Sequence, residues 1–155
     1  MAKPKKPDND PVLATNKKAF HDYNVIERFE VGIQLAGTEV KSCRMRQINL
    51  MDAYARIQNN QLFLINAHIA PYDHGNRFNH EAVRQRRLLM HRNEILKLAQ
   101  WLGTKGGTLI PLKFYLKQGL VKVELAYCQG KTHGDQRETL RRRQSDLEMR
   151  RMVKR

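Results

Sequence analysis

The sequence predicts a mainly β fold, a single small closed antiparallel barrel with flanking short helices and a basic C-terminal tail. Three observations carry this expectation. At 155 residues the chain has material for one core rather than two. Several segments of strand length alternate apolar with polar residues, and two pairs of them flank tight-turn dipeptides. The strand and helix segments do not alternate in the way that builds a doubly wound parallel sheet.

Residues 1–18 are rich in proline and carry Lys3, Lys5, Lys6, Lys17 and Lys18 against Asp8 and Asp10, which predicts a flexible basic arm. The barrel is expected over residues 19–130, which hold the aromatic residues and most of the β-branched ones. Over residues 23–35, Tyr23, Val25, Phe29, Val31, Ile33 and Leu35 alternate with Asn24, Arg28, Glu30 and Gln34, the pattern of a half-buried strand. Glu27 breaks the alternation and marks a bulge. GTEVKSCRMR then has the length of a short helix, with Thr38 as its expected N-cap. AYARI and LFLI flank Asn59-Asn60, a pair that tolerates the positive φ of a two-residue hairpin turn. A loop rich in His, Asn, Pro and Gly follows over residues 68–80. HRNEILKLAQWLG places Ile95, Leu98, Ala99 and Leu102 on one helical stripe, with Gly103 as the expected terminator. Finally TLIPLKFYLK and LVKVELAYC meet at Gln118-Gly119, and Val121, Val123, Leu125 and Tyr127 alternate with Lys122, Glu124 and Ala126. Five or six strands with these helices fit a barrel of the OB type.

Residues 131–155 form a tail with nine Lys or Arg, four acids and no aromatic residue. From Asp135 onward it lacks Gly and Pro, Asp135 and Glu138 resemble a capping box, and Glu138 with Arg142 and Asp146 with Arg150 are helical ion-pair spacings. Leu140, Leu147, Met149, Met152 and Val153 make no continuous stripe, so no packing holds such a helix in isolation. The tail is expected to be disordered when free and helical on a polyanionic surface.

Charge decides the class of partner. Twenty-nine Lys and Arg against 15 Asp and Glu give a net charge of +14, and every segment is net basic. That balance points to nucleic acid. Residues 77–97 concentrate Arg77, Arg84, Arg86, Arg87, Arg92 and Lys97, whose guanidinium forks suit phosphates and stacked bases. RNA is favoured over duplex DNA, because no helix-turn-helix or basic zipper is present and small barrels suit single strands and loops. No segment is apolar enough to span a bilayer, and MAKPKKPDNDP has no apolar run behind its lysines, so a soluble, cytoplasmic protein is expected. Cys43 and Cys128 lie far apart, excluding a cysteine zinc site. His68, Asp73, His74, His80, Glu81 and His91 cluster in sequence, yet they match no metalloenzyme or nucleophile motif; neither a catalytic residue nor a cofactor is expected.

HDY at 21–23, FEVGIQLAGTEVKSCR at 29–44, NL-x-DAYA at 49–55, HIAPY with GN and NHE behind it, RRLLMHRNEILKL at 86–98, GGTLIPLKFYLKQGLVKVELA at 106–126, and QGK with D-x-R-E form one ordered pattern. It resembles the small protein B family, the bacterial tmRNA-binding (SsrA-binding) proteins, over residues 16–138. The resemblance implies a six-stranded OB-like barrel that binds the tRNA-like domain of tmRNA. It also implies delivery of that RNA to ribosomes stalled on messages lacking a usable stop codon, together with the elongation factor that carries aminoacyl-tRNA. That is an adaptor's task and not an enzyme's. A basic ribosome-bound structural protein is the alternative, and an RNA-processing enzyme the third reading.

The resemblance marks Glu30 as a tmRNA contact, Leu89 beside Arg86 and Arg87 as an apolar contact to an unstacked base, and Lys122 as a phosphate contact. Lys41, Arg44 and Lys131 complete the expected RNA-binding set. At the start of the tail, Gly134 stands where the family has an aromatic residue or histidine and Gln136 where it has a cation, so His133 is the candidate for the stacking role. The resemblance gives the tail the decoding centre and the message channel of the ribosome, with His133, Arg137, Arg141, Arg142, Arg143, Arg150 and Arg151 as its contacts.

Overall fold

The computed structural model describes residues 11–72, 79–131, 141–144 and 147. In chain order its elements are β1 (Val12–Thr15), α1 (Lys17–Asp22), β2 (Tyr23–Ile33), α2 (Gly37–Arg44), β3 (Ile48–Asn49), β4 (Tyr54–Gln58), β5 (Gln61–Ile65), β6 (His68–Ile69), β7 (Arg86–Leu89), α3 (Arg92–Lys105), β8 (Thr108–Lys117) and β9 (Leu120–Gly130). Seven strands make one antiparallel sheet in the order β1-β8-β4-β5-β7-β2-β9, with β8 also paired to β9; β3 and β6 pair separately.

Turn chemistry sets the two hairpins. Asn59 and Asn60 both have positive φ, 50° and 60°, between β4 and β5. Gln118 and Gly119, at 52° and 77°, do the same between β8 and β9. Positive φ at both central positions matches the twist of the flanking strands.

The expected bulge in β2 is present, because Val25 pairs with Cys128 and Glu27 with Tyr127, leaving Ile26 unopposed. One extra residue reverses the side on which the following residues point. Phe29 and Ile33 therefore pack with Val31, Leu125 and Phe114 in the main core, whereas Tyr23 and Val25 pack in a second cluster with Ala19, Ile110, Leu112, Ala126 and Cys128. The single apolar face expected over residues 23–35 is thus divided between two cores. A matching bulge at Leu112 in β8 follows Pro111, which has no N–H to give to the ladder. Ala126, expected on the polar face of β9, is buried in that second cluster.

Three boundaries differ from expectation. The basic arm expected over residues 1–18 is structured within its described part: β1 pairs with β8, and Leu13 is buried. Asn16 is buried and caps α1, its Oδ1 accepting from the Ala19 N–H at 3.2 Å while its Nδ2 donates to the carbonyls of Leu50 and Pro111, each at 3.1 Å. The N-cap of α2 is Ala36 rather than Thr38, and the Ala36 N–H donates to Glu39 Oε1 at 2.8 Å. α3 runs through Gly103 and ends at Gly106, whose φ of 71° suits glycine. Ile95 and Leu98 of the expected stripe are buried in the main core, with Leu102 packed against it.

Candidate nucleic-acid interface

The outer face of the sheet is assembled by register. Gly32 of β2 pairs with Leu89 of β7 on one side and Lys122 of β9 on the other, and Lys122 pairs in turn with Tyr115 of β8. Leu89, Gly32, Lys122 and Tyr115 therefore form one row across four strands. In the adjacent row Glu30 opposes Glu124, which opposes Lys113. Leu89 is 50% exposed, unusual for leucine in a strand. Gly32 leaves room beside it, since a Cβ there would lie 3.3 Å from the Leu89 Cβ, and the bare backbone makes a shallow step.

Charges on this face are ordered. Lys117 Nζ lies 3.1 and 3.2 Å from the two Glu30 oxygens, and Glu124 accepts from Arg28 at 3.1 Å and faces Lys113 at 3.3 Å. Partial burial opposes ionisation of Glu30, but hydrogen bonds from Tyr115 and Lys117, with the charges of Lys117 and Lys122, outweigh it and hold its carboxyl below the usual range. Glu30 thus stays an anion at neutral pH. A carboxylate has about four acceptor positions, so capacity remains for the N–H edge of a base or a ribose hydroxyl.

Of the residues marked by sequence, Glu30, Leu89 and Lys122 come together here, and Arg87 points outward from β7, opposite Phe63 of β5. Lys41 and Arg44 lie on the exposed side of α2, with Lys41 Nζ 5.2 Å from the Tyr72 ring centroid. Lys131 is turned to α1, its Nζ donating to the Phe20 carbonyl at 2.9 Å and its backbone N–H to Asp22.

Arg86 requires a correction: it is fully buried and offers nothing to RNA. Its Nε donates to the equally buried Glu39, and its terminal nitrogens donate to the carbonyls of Ala67 (2.8 Å), Ala82 (3.0 Å) and Arg84 (3.1 Å). Arg84 adds a second cation to Glu39 at 2.5 Å. Burial disfavours the charged form of Glu39, yet bonds from Arg84, the Ala36 N–H and Arg86 hold its carboxyl below the ordinary value. Sequence reasoning missed this centre because a strand reading Arg-Arg-Leu-Leu, with one Arg in and one Leu out, has no apolar alternation. Tyr115 and Lys117 were missed as well, since only the fold brings β8 beside Glu30, and Gly32 was missed because its part depends on Leu89 of β7 lying opposite it.

His80 is a structural stitch, its Nε2 bonded to the Ile69 carbonyl at 2.9 Å and its Nδ1 to the Thr38 hydroxyl at 2.8 Å. Among the described residues no three His, Cys, Asp or Glu are grouped to hold a metal, and no helix is long and apolar enough to cross a membrane. In the tail, residues 141–144 are helical and exposed, so Arg141, Arg142 and Arg143 belong to a helix. His133, Arg137, Arg150 and Arg151 lie outside the described residues, as do Asp73, His74 and Arg77.

An antiparallel β protein with a cationic outer face that also offers an ordered carboxylate and an exposed leucine is equipped to bind RNA. Comparison with known proteins gives the family. Residues 13–155 match the profile of the SmpB protein family. The chain is 51% identical over 154 residues to the SsrA-binding protein of Caldicellulosiruptor saccharolyticus, covering 99% of this chain and 98% of that one. It is 51% identical over 150 residues to the SsrA-binding protein of Levilactobacillus brevis, covering 97% and 94% respectively. A solved structure described as "tmRNA-SmpB: a journey to the center of the bacterial ribosome" superposes with a TM-score of 0.66 at 40% identity, over 85% of this chain and 96% of that chain. The chain belongs to the SmpB family.

Proposed function

We propose that this protein binds tmRNA (SsrA RNA) through its tRNA-like domain and carries it to stalled ribosomes in trans-translation, as a binding adaptor and not an enzyme. The observation that carries the reading is the gathering of Glu30, Leu89 and Lys122 on one outer face, around the Gly32 step, in a chain of this family. An unstacked base would rest on Leu89 and the Gly32 backbone and present its N–H edge to Glu30, with a neighbouring phosphate on Lys122. Arg87, Lys41 and Arg44 would extend the contact along the backbone of the RNA.

The fold we infer is a closed six-stranded barrel of the OB type. It is supported by the cycle of pairings β8-β4-β5-β7-β2-β9 and back to β8, with β1 added outside. The setting is the cytoplasm, and the elongation factor that carries aminoacyl-tRNA is the further partner.

The tail is the ribosome-binding part, helical when bound; its described residues 141–144 are already helical in the chain alone. No codon–anticodon pairing orders the decoding site of a ribosome without a usable codon, so a protein segment must occupy the message path. A helix of about 19 residues reaches roughly 28 Å at 1.5 Å per residue, enough to lie along a channel with Arg141, Arg142, Arg143, Arg150 and Arg151 against rRNA phosphates. Arg137 and His133 would sit nearest the decoding centre. The test is a chain shortened by residues 136–155: it should bind the tRNA-like fragment with unchanged affinity and fail to support tagging on stalled ribosomes. Tagging at the full rate would overturn the role given to the tail.

A further inference from the structure

α3 carries a second surface with nucleic-acid chemistry, outside the face built around Glu30. Trp101, the only tryptophan of the chain, lies half-buried on α3, with Lys97 one turn before it and Lys105 one turn after. The Lys97 ammonium lies 4.6 Å from the indole centroid and the Lys105 ammonium 5.5 Å. The ring is held from behind: its centroid is 5.4 Å from that of Tyr127 at an interplanar angle of 54°, and the Tyr127 hydroxyl donates to the Gly106 carbonyl at 2.5 Å. Trp101 also packs against the main core. The described carboxylate paired to this stripe is Glu27, 3.8 Å from Lys97, and both side chains are more than 40% exposed. A contact of that kind contributes little and is readily exchanged for a phosphate.

A rigid aromatic ring flanked by two ammonium groups is the arrangement that single-stranded nucleic acid uses, a base on the π-face and phosphates on the cations. Lys97 and Lys105 are eight residues apart, about 12 Å along the helix axis, so they flank a nucleotide stacked on the ring. The stripe is a separate site. Glu27 and Glu30 lie three residues apart on β2, about 10 Å along the strand, and their side chains point to opposite faces of the sheet.

We propose that Lys97, Trp101 and Lys105 form a second RNA contact, specific for an unstacked nucleotide in a single-stranded segment. The indole is its own reporter. Titrating the full chain with a short single-stranded oligouridylate should give saturable quenching of tryptophan fluorescence that weakens with salt. Lys97→Ala and Lys105→Ala should each raise the midpoint at fixed salt and reduce the salt slope by about 0.7. Trp101→Leu should weaken binding of labelled oligouridylate at least about fivefold, provided its circular dichroism matches the parent. The double variant Glu30→Ala, Lys122→Ala should keep the quenching midpoint, which separates this site from the first. Unchanged fluorescence while labelled oligouridylate binds, midpoints indifferent to both lysines, or equally tight quenching by a duplex RNA or an oligoglutamate would overturn the proposal.

Discussion

Arg86 and Glu39 are buried against each other at the junction of β7 and α2, each fully shielded from water, while Arg87, one residue on, faces out. Neighbouring arginines in one basic run thus have unrelated tasks. Removing Arg86 leaves the buried Glu39 with Arg84 alone and takes the donor from the carbonyls of Ala67, Ala82 and Arg84, so Arg86→Ala should cost about 3–5 kcal/mol in urea unfolding. Arg87→Ala should change stability by no more than about 0.5 kcal/mol and weaken RNA binding instead.

The same pair makes the fold sensitive to acid. The Glu39 carboxyl titrates below its unfolded value of 4.5, so the unfolded chain takes up its proton first as the pH falls. The stabilisation is complete above about pH 4.5 and is lost as the pH drops through the lower folded value. Unfolding free energy measured against pH should fall steeply in that acid window. Glu39→Gln, less stable at pH 7, should show a shallower fall; parallel curves would mean that other carboxylates govern acid unfolding.

Asn16 joins three parts of the chain through one amide. Asn16→Ala removes the cap of α1 and leaves the Leu50 and Pro111 carbonyls without this donor, a loss of about 2–3 kcal/mol in thermal or urea unfolding. A variant within about 0.5 kcal/mol of the parent would return this segment to the status of a dispensable arm.

Gly32→Val tests the step beside Leu89. The new side chain would meet the Leu89 Cβ at 3.3 Å, which no change of rotamer moves, so β2 and β7 must part slightly, at a cost of about 1 kcal/mol. Affinity for the tRNA-like fragment should fall about fivefold or more, the effect of losing roughly 1 kcal/mol of apolar contact. The check is binding and unfolding on the same preparation.

Local signals were legible wherever one face of an element meets water and the other the core. Asn59-Asn60, Gln118-Gly119, the Ile95 and Leu98 stripe and the irregularity near Glu27 all read correctly, because turn φ and side-chain period are local properties. What escaped was set by distant partners. The two-residue strands β3 and β6 have no period to read. β7 hides its Arg inside because Glu39, forty-seven residues earlier, neutralises it. Tyr23 and Val25 change cores because a bulge reverses the strand, and β1 is held through Asn16 by carbonyls from two other segments. In the interface, Glu30, Leu89 and Lys122 were named through resemblance; that Leu89, Gly32, Lys122 and Tyr115 share one row, with Glu30 in the next, exists only in the register.

On the proposal made above, the Glu30, Leu89 and Lys122 face holds the tRNA-like domain of tmRNA. Its most direct test is the equilibrium affinity of a labelled tRNA-like fragment for the parent chain, Lys122→Ala and Glu30→Ala over a series of salt concentrations. Lys122→Ala should bind more weakly, with a salt slope shallower by about one or less, the loss of one phosphate contact. Glu30→Ala should bind more weakly at every salt concentration with its slope nearly unchanged, because it loses hydrogen bonds to base or sugar. Equal affinities and equal slopes for all three proteins would contradict the account.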